Sequence, residues 1–134
     1  MSSQFLLGID QGTSGSKAVI IDDQGSLCGH GHRPLERLYP QPGYVEQDPY
    51  AVAQSVAGAV TSAIDAAGCS PDQIGACGIT SQRNTEFAWD RQSGRPIGNA
   101  VTWQDLRTGP RLQEVQQLPF ASEARYRLGY PPGT

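Results

Sequence analysis

The sequence has little of several things that would define a specialised class of protein. Cysteine occurs at only three of 134 positions, with neither a C-x-x-C pair nor a secretory leader beside it, so we expect reduced thiols in a cytoplasmic protein. No apolar run approaches the roughly 20 residues that span a bilayer. The formal net charge of -3 provides no broad electropositive surface, which argues against a nucleic-acid or anionic-membrane partner.

The residues that are abundant describe a soluble, turn-rich globular protein. Apolar residues make up 37% of the chain, and it contains sixteen glycines and ten prolines, a composition unlike that of disordered or fibrous proteins. The length is sufficient to bury a core and by itself suggests a single domain.

The first 35 residues predict an antiparallel three-stranded meander. Short apolar runs at residues 5–9 and 18–21 are of strand length, and residues 27–35 supply a third, weaker strand. The polar, glycine-rich residues 11–16 between the first two runs suit a β-hairpin connection.

The rest of the chain predicts alternating helices and strands. Asp48 can cap a helix that Gly68 ends, and a stripe recurring every four residues is expected to face the core: Val52, Val56, Val60 and Ile64. Further strands are predicted at residues 74–80, as a buried central strand, and at 85–90 and 100–103. Helix is predicted from residue 104, with Pro110 near its start, and at 122–128, before a loop at 129–134. These elements favour an α/β fold of the actin-like or ribonuclease H-like type, with a mixed sheet flanked by helices.

The turn between the first two strands has the composition of an anion site. Glycines such as Gly12 let the backbone approach a ligand closely, and the hydroxyls of Thr13, Ser14 and Ser16 add donors. Asp10 is placed to hold Mg²⁺, directly or through water. Lys17 adds positive charge nearby, although its side chain can equally point elsewhere. The spacing matches neither G-x-x-x-x-G-K-[ST] nor G-x-G-x-x-G, and taken alone the turn can be purely structural.

Further motifs follow at compatible spacing along nearly the whole chain. Together the motifs are G-I-D-Q-G-T-S (residues 8–14), P-G-Y-V-E-Q-D-P (42–49), G-I-T-S-Q-R-N-T (78–85), W-D (89–90), G-R-P (94–96), N-A (99–100) and W-Q-D-L-R-T (103–108). In this set and order the sequence resembles the FGGY carbohydrate kinases, and among them the glycerol kinases most closely.

The resemblance implies ATP-dependent phosphorylation of a polyol or sugar hydroxyl between two actin-like lobes, with residues 1–134 as part of the first lobe. It implies that Asp10 serves Mg²⁺ and that Thr13 and Ser14 contact the ATP phosphates. It also carries over Arg83 as a hydroxyl-binding residue. Asn84 departs from the family, because glycerol kinases resemble one another in having Glu there, and an amide both donates and accepts where a carboxylate only accepts.

Two further positions leave alternatives open. Trp103 occupies a place that the family uses beside its substrate, so its ring can face the carbon backbone of the substrate or simply pack in the core. Asp105 and Arg107 can orient that region or form a surface ion pair worth at most about 1 kcal/mol. His30 and His32 lack a third ligand nearby, so no metal site is expected from them.

The resemblance also implies that part of the machinery is missing from these 134 residues. No catalytic base is assigned in this chain, because the resemblance places that carboxylate, a substrate-contacting Tyr and the nucleotide-binding second lobe beyond residue 134. We therefore expect the chain alone to have no appreciable kinase turnover. It is expected to be the N-terminal part of a larger kinase. The alternatives are a non-catalytic phosphate- or sugar-binding module, or a truncated inactive fragment that associates with another chain. The expected protein partners are the missing second lobe or further copies of the chain.

Overall fold

The computed structural model describes residues 5–128, which form a mixed sheet, one long helix and two short ones. In chain order the elements are β1 (Phe5–Gln11), β2 (Gly15–Asp22), β3 (Leu27–Pro34), β4 (Glu46–Gln47), α1 (Pro49–Ala67), a 3-10 turn (Pro71–Gln73), β5 (Ile74–Ser81), β6 (Ala100–Val101), α2 (Gly109–Gln116) and α3 (Ala121–Leu128).

The main sheet has the strand order β3-β2-β1-β5. Strands β1, β2 and β3 pair antiparallel, which confirms the predicted meander. Strand β5 pairs parallel to β1, so α1 serves as the crossover between the meander and β5. Because parallel strands end at the same edge of a sheet, the carboxyl ends of β1 and β5 lie side by side.

The core lies between this sheet and α1. Ala18 and Ile20 of β2 are buried against Ala59 and Ala63 of the helix. Of the predicted stripe, Val52 is buried, while the other three residues are only half-buried beside this contact: Val56, Val60 and Ile64.

Small residues, rather than the valine stripe, make the closest contact in the core. Gly29 and Gly31 of β3 lie directly beneath α1, and a Cβ atom at either position would run into the backbone carbonyls of Ala63 and Ala59. Helix and strand therefore approach each other more closely than larger side chains permit.

The ends of α1 lie where the sequence predicts them. The Asp48 carboxylate accepts a hydrogen bond of 2.9 Å from the backbone N–H of Tyr50, and Pro49 occupies the first turn. Gly68 ends the helix in the left-handed conformation, with φ of 63°, where glycine carries no Cβ penalty.

The prediction that residues 74–80 form a buried central strand is wrong. β5 is an edge strand of the described sheet, and Ile79 is 70% exposed. The reason is that α1 lies over β2 and β3, so that nothing in residues 5–128 covers β5.

The predicted strand at 85–90 is also wrong. Residues 85–90 contribute only the isolated bridges Glu86–Val101 and Trp89–Pro96, and β6 is limited to Ala100–Val101, paired with β4. Pro110 lies in the first turn of α2, and α3 matches the predicted final helix, while the predicted loop at 129–134 lies outside the described residues. Within residues 5–128, no helix combines the length and apolar character needed to cross a membrane.

Candidate active site

A cavity of about 670 Å³ opens where β1 and β5 end side by side. It brings together residues that are far apart in the sequence. From the first hairpin come Asp10, Gly12 and Thr13, and from the segments after β5 and β6 come Ser81, Gln82, Arg83, Asn84 and Trp103. Residues predicted to bind phosphate and residues predicted to bind the substrate thus line the same cavity.

The hairpin between β1 and β2, residues 8–17, is held by its own backbone and by its neighbours. The Gly12 N–H donates to the Gly15 carbonyl at 2.9 Å, and the Ser14 carbonyl accepts from Leu35 N–H at 3.0 Å. Ser16, expected to offer its hydroxyl to an anion, is instead fully buried and bonds the Ser55 hydroxyl of α1 at 2.7 Å. The fixed turn leaves Thr13 at the cavity wall.

Asp10 lies exposed at the end of β1 and contributes to the cavity wall. No salt-bridge partner for it exists among the described residues. Residues 5–128 also contain no group of three or more His, Cys, Asp or Glu side chains that could hold a metal ion by themselves. A free carboxylate with space beside it fits Mg²⁺, which keeps several waters and takes one or two protein carboxylates together with phosphate oxygens.

Two of the predicted phosphate-binding residues lie apart from the cavity lining. Lys17 pairs with Asp10 across β1 and β2, on the face opposite α1. It lines a shallower groove of about 530 Å³ that also includes Val19 and, on the edge strand β5, Ile79. Ser14 belongs to neither lining. Among residues 5–128, Asp10 is the one that borders both spaces.

The segment after β5 turns away from the sheet into the cavity. The Gln82 N–H donates to the Gln11 carbonyl at 2.8 Å, which extends the pairing of β5 with β1 by one bond. Arg83 and Asn84 follow with exposed side chains. Asn84 has φ of 55°, a left-handed conformation in which Asn is several-fold enriched over most residues. The left-handed backbone conformation is thus by itself a reason for Asn at this position.

Trp103 is half-exposed, with 47% of its surface accessible, and lies on the cavity wall. The ring is therefore not packed in the core, and it borders the cavity. Its indole N–H donates to the Thr13 hydroxyl at 2.9 Å. Because the hydroxyl oxygen accepts this bond, its hydrogen remains available to donate to a ligand.

Asp105 and Arg107 form the centre of a buried polar network. Asp105 is 3% exposed; its two carboxylate oxygens accept from Arg107 Nε at 2.7 Å and Nη2 at 2.8 Å. The backbone N–H of Val45 donates to the same carboxylate at 2.7 Å. Arg107 also contacts the Glu46 carboxylate and lies 4.0 Å from the centroid of the Tyr44 ring. The pair therefore orients the region, and the alternative of a weak surface ion pair is wrong.

Hydrogen bonding shifts the pKa values in this network. The Arg107 guanidinium and the donated N–H bonds lower the pKa of Asp105 to about 2, against the opposing effect of burial. Arg107, and after it Asn99, also lower the pKa of Glu46. Bonds to Asp105 and Glu46 raise the pKa of Arg107 further above its ordinary value. The network is thus fully charged near neutral pH.

Sequence reasoning missed Gln47 and assigned no role to Gln82. Gln47 is completely buried, and Gln82 reaches both Gln47 and the cavity. Both residues lie within motifs described above, and this was the sequence signal that could have pointed to them. A glutamine in a polar loop is usually exposed, so nothing in the sequence predicted burial.

The family of this chain follows from a match to a family model. Residues 5–131 match the N-terminal domain of the FGGY family of carbohydrate kinases. The chain belongs to that family. The motifs that suggested the FGGY kinases lie along the matched range, and several of their residues line the cavity.

Individual FGGY relatives agree with this assignment. The glycerol kinase of Burkholderia vietnamiensis is 38% identical over 131 residues, which are 98% of this chain and 26% of the relative. The structure of Plasmodium falciparum glycerol kinase with ADP superposes with a TM-score of 0.79 at 26% identity, covering 92% of this chain and 25% of that one.

A further structure supports the fold. Xylulose kinase from Rhodospirillum rubrum matches with a TM-score of 0.81 at 18% identity, over 91% of this chain and 25% of that one. The predicted actin-like α/β class is thereby confirmed. The chain spans about a quarter of the length of the relatives it matches.

Proposed function

We propose that this chain is part of a kinase that transfers a phosphoryl group from ATP to a hydroxyl of a polyol or sugar. Residues 1–134 would form part of its N-terminal actin-like domain. The observation that carries the proposal is the shared cavity, in which Asp10 and Thr13 face the same space as Arg83 and Trp103. Phosphoryl transfer needs this juxtaposition, because catalysis depends on positioning the phosphate against the accepting hydroxyl.

The phosphate side of the cavity supports binding of ATP. Thr13 has a hydroxyl hydrogen to donate, and Gly12 presents backbone without a side chain. We propose Asp10 as the ligand of Mg²⁺, which when bound would neutralise charge on the phosphates. Ser14 remains a proposed phosphate contact on the family's pattern. Lys17, beside Asp10 on the face of the sheet opposite α1, would act as a nearby positive charge.

The substrate side supports a small polyhydroxylated molecule. Arg83 presents several fixed donors, the Asn84 amide both donates and accepts, and the Trp103 ring offers an apolar face for C–H groups. Glycerol is the first candidate, because the curated relatives that match the chain over 98% of its length are glycerol kinases. Asn84 departs from the Glu that the resemblance to glycerol kinases implies at this position, and it therefore favours a substrate with a different pattern of hydroxyls.

The general base and the second lobe are proposed to come from residues outside this chain. Asp10 is a poor substitute for the base, because a carboxylate engaged with Mg²⁺ accepts protons weakly. Apolar residues are left open on the sheet: Leu6 and Val19, at 45% and 38% exposure, on the face opposite α1, and Ile79, at 70%, on the uncovered edge strand β5. This exposed apolar surface supports a part of a larger assembly over a self-contained binding module. A cytoplasmic location is proposed for two reasons. A kinase needs the ATP that the cytoplasm supplies, and the three cysteines are free thiols.

The proposal is tested by a coupled ADP-release assay over a panel of polyols and sugars. We expect no appreciable turnover from the 134-residue chain, and substrate-dependent turnover from a longer protein that contains it. Asp10→Asn should abolish that turnover, whereas Asp23→Asn, in the exposed β2–β3 turn, should leave it unchanged. Rapid turnover by the chain alone, or indifference of the longer protein to Asp10→Asn, would contradict the assignment.

A second assay addresses substrate preference. Asn84→Glu in the longer protein should move the ranking across the panel towards glycerol, because it restores an acceptor-only carboxylate. An unchanged ranking would show that Asn84 does not help to set specificity.

A further inference from the structure

Three glutamine side chains meet behind the hairpin, and we call Gln11, Gln47 and Gln82 the amide network. Gln47 is the centre, with no exposed surface. Its Nε2 donates to the Thr13 carbonyl at 2.7 Å, and its Oε1 accepts from Gln82 Nε2 at 2.8 Å. A weaker branch runs from Gln82 Nε2 to Gln11 Oε1 at 3.4 Å, and Gln11 Nε2 donates to the Gly12 carbonyl at 2.9 Å.

The backbone fixes the direction of every bond in this network. A carbonyl oxygen can only accept, so the two carbonyls of the hairpin require the NH₂ groups of Gln47 and Gln11. The Oε1 atoms of both residues then face Gln82, which must present its own NH₂ group. Consistently, Gln82 Oε1 is buried without a partner among the described residues, while its donor group is used.

The network has a consequence for the anion site. It turns the carbonyl oxygens of Gly12 and Thr13 into the protein, away from an incoming phosphate that they would repel. The N–H groups of Thr13 and Ser14 have no acceptor within residues 5–128, so they remain available to an anion. The arrangement thus separates acceptors from donors along the turn.

We propose that Gln47, oriented by Gln82, is a positioning residue that keeps the carbonyls of the hairpin away from the bound phosphate. The inference rests on the proposed function. It also links the two sides of the cavity, because Gln82 directly precedes the substrate-side Arg83. This strand end is connected to the phosphate hairpin through the buried Gln47 amide, through the Gln11 side chain and through the backbone bond from Gln82 to Gln11.

Gln47→Glu tests the proposal, because protonation restores the missing donor. As a carboxylate the new side chain cannot donate to the Thr13 carbonyl; as a neutral acid it can donate there and still accept from Gln82. Burial raises the pKa of a carboxyl group, so the switch is expected within the working range of the protein. In the longer protein that contains this chain, we expect MgATP to bind to Gln47→Glu at least about tenfold more weakly than to wild type at pH 8, and within about twofold of wild type at pH 5.5, by calorimetry.

Comparison with wild type at each pH removes the contribution of other charged groups around the network. These are Asp10 and Arg83 on the cavity wall and the Glu46–Arg107 pair. Gln24→Glu, in the exposed β2–β3 turn, introduces the same charge change away from the network and should match wild type at both pH values. Equal binding by wild type and Gln47→Glu at pH 8 would overturn the inference.

Amide hydrogen exchange provides a readout that does not depend on ATP binding. Protection of the Gly12 N–H, bonded within the turn, should fall at least about tenfold in Gln47→Glu at pH 8 and recover at pH 5.5, with α1 unchanged. If Gln47→Glu does not fold, Gln82→Met at the less buried end of the network should show the same local loss. Normal protection in a folded variant would overturn the inference, whereas failure of wild type to bind MgATP would count only against the proposed function.

Discussion

The hairpin side and the substrate side of the cavity are built in different ways. Residues 5–81 form paired strands and a capped helix, in which most contacts are between regular elements. Residues 82–108 contain only the two-residue strand β6. That second segment is fixed by polar side chains that reach back to the rest of the chain, above all Asp105 and Trp103.

The contrast separates two ways of stabilising a binding site. Regular pairing and close glycine contacts make the hairpin side rigid with little help from charge. The substrate side has little backbone pairing beyond β6 and two isolated bridges. It relies on a few buried hydrogen bonds, each of which is expensive to remove. Substitutions on the two sides should therefore fail for different reasons.

The largest expected effect comes from Asp105→Ala. It removes the partner of Arg107 and the acceptor of the Val45 N–H, so we expect a loss of about 3 kcal/mol in the free energy of unfolding, measured with urea. This value is at the low end for a buried pair, because the side chain of Arg107 is 27% exposed.

The matched control for Asp105→Ala is Glu114→Ala. Its ion pair with Arg111 is largely exposed, at 82% and 64% for the two side chains, so a change below about 0.5 kcal/mol is expected. Similar losses for the two variants would show that burial does not distinguish these pairs.

On the hairpin side, Gly31→Ala should cost about 2 kcal/mol in the same measurement. The added methyl group collides with the Ala59 carbonyl and forces α1 away from β3. Gly78→Ala is the control, because nothing lies within 4 Å of its added Cβ. Equal stability of the two variants would show that the close approach of β3 to α1 does not require glycine at position 31.

Acid should weaken the substrate side first. Asp105 has a pKa of about 2 in the folded protein against an ordinary aspartate value of 3.8, so its contribution is fully present well above pH 4. That contribution declines as the pH falls from about 4 to 2, because the unfolded chain takes up the proton more readily. Urea unfolding of wild type and Asp105→Ala across this range should show the difference between them shrinking. A constant difference would contradict the assigned pKa.

The smallest effect concerns the backbone at Asn84. Asn84→Ala should lose about 1 kcal/mol in thermal or urea unfolding, because a Cβ-bearing residue other than Asn or Asp tolerates the left-handed conformation poorly. Asn84→Gly should be as stable as wild type or slightly more so. Equal stability of the Ala and Gly variants would be evidence against the left-handed conformation in solution.

The sequence predicted the elements whose signals are local. The meander, the caps of α1 at Asp48 and Gly68, and the position of Pro110 depend on residues within a few positions of one another. The strand at 85–90 was predicted from alternation alone, but pairing requires a neighbour that the tertiary structure does not provide. β5 was predicted as buried from its apolar composition, which does not reveal whether another element covers the strand.

For the candidate site, the motifs identified the residue types but not their arrangement. They pointed to Asp10, Thr13, Arg83 and Trp103, all of which line the cavity. They did not indicate that Ser16 faces α1 or that Gln47 is completely buried, because both depend on which face of an element meets a distant partner.

The sequence by itself determined the family, the meander and the helix, since these follow from short-range patterns and ordered motifs. Only the tertiary structure decided that Trp103 donates to Thr13 and that Arg107 joins Asp105 to Glu46. It also decided that three glutamines turn two carbonyls away from the cavity. Such contacts connect residues between one and 90 positions apart, and their geometry depends on how the sheet and the loops pack together.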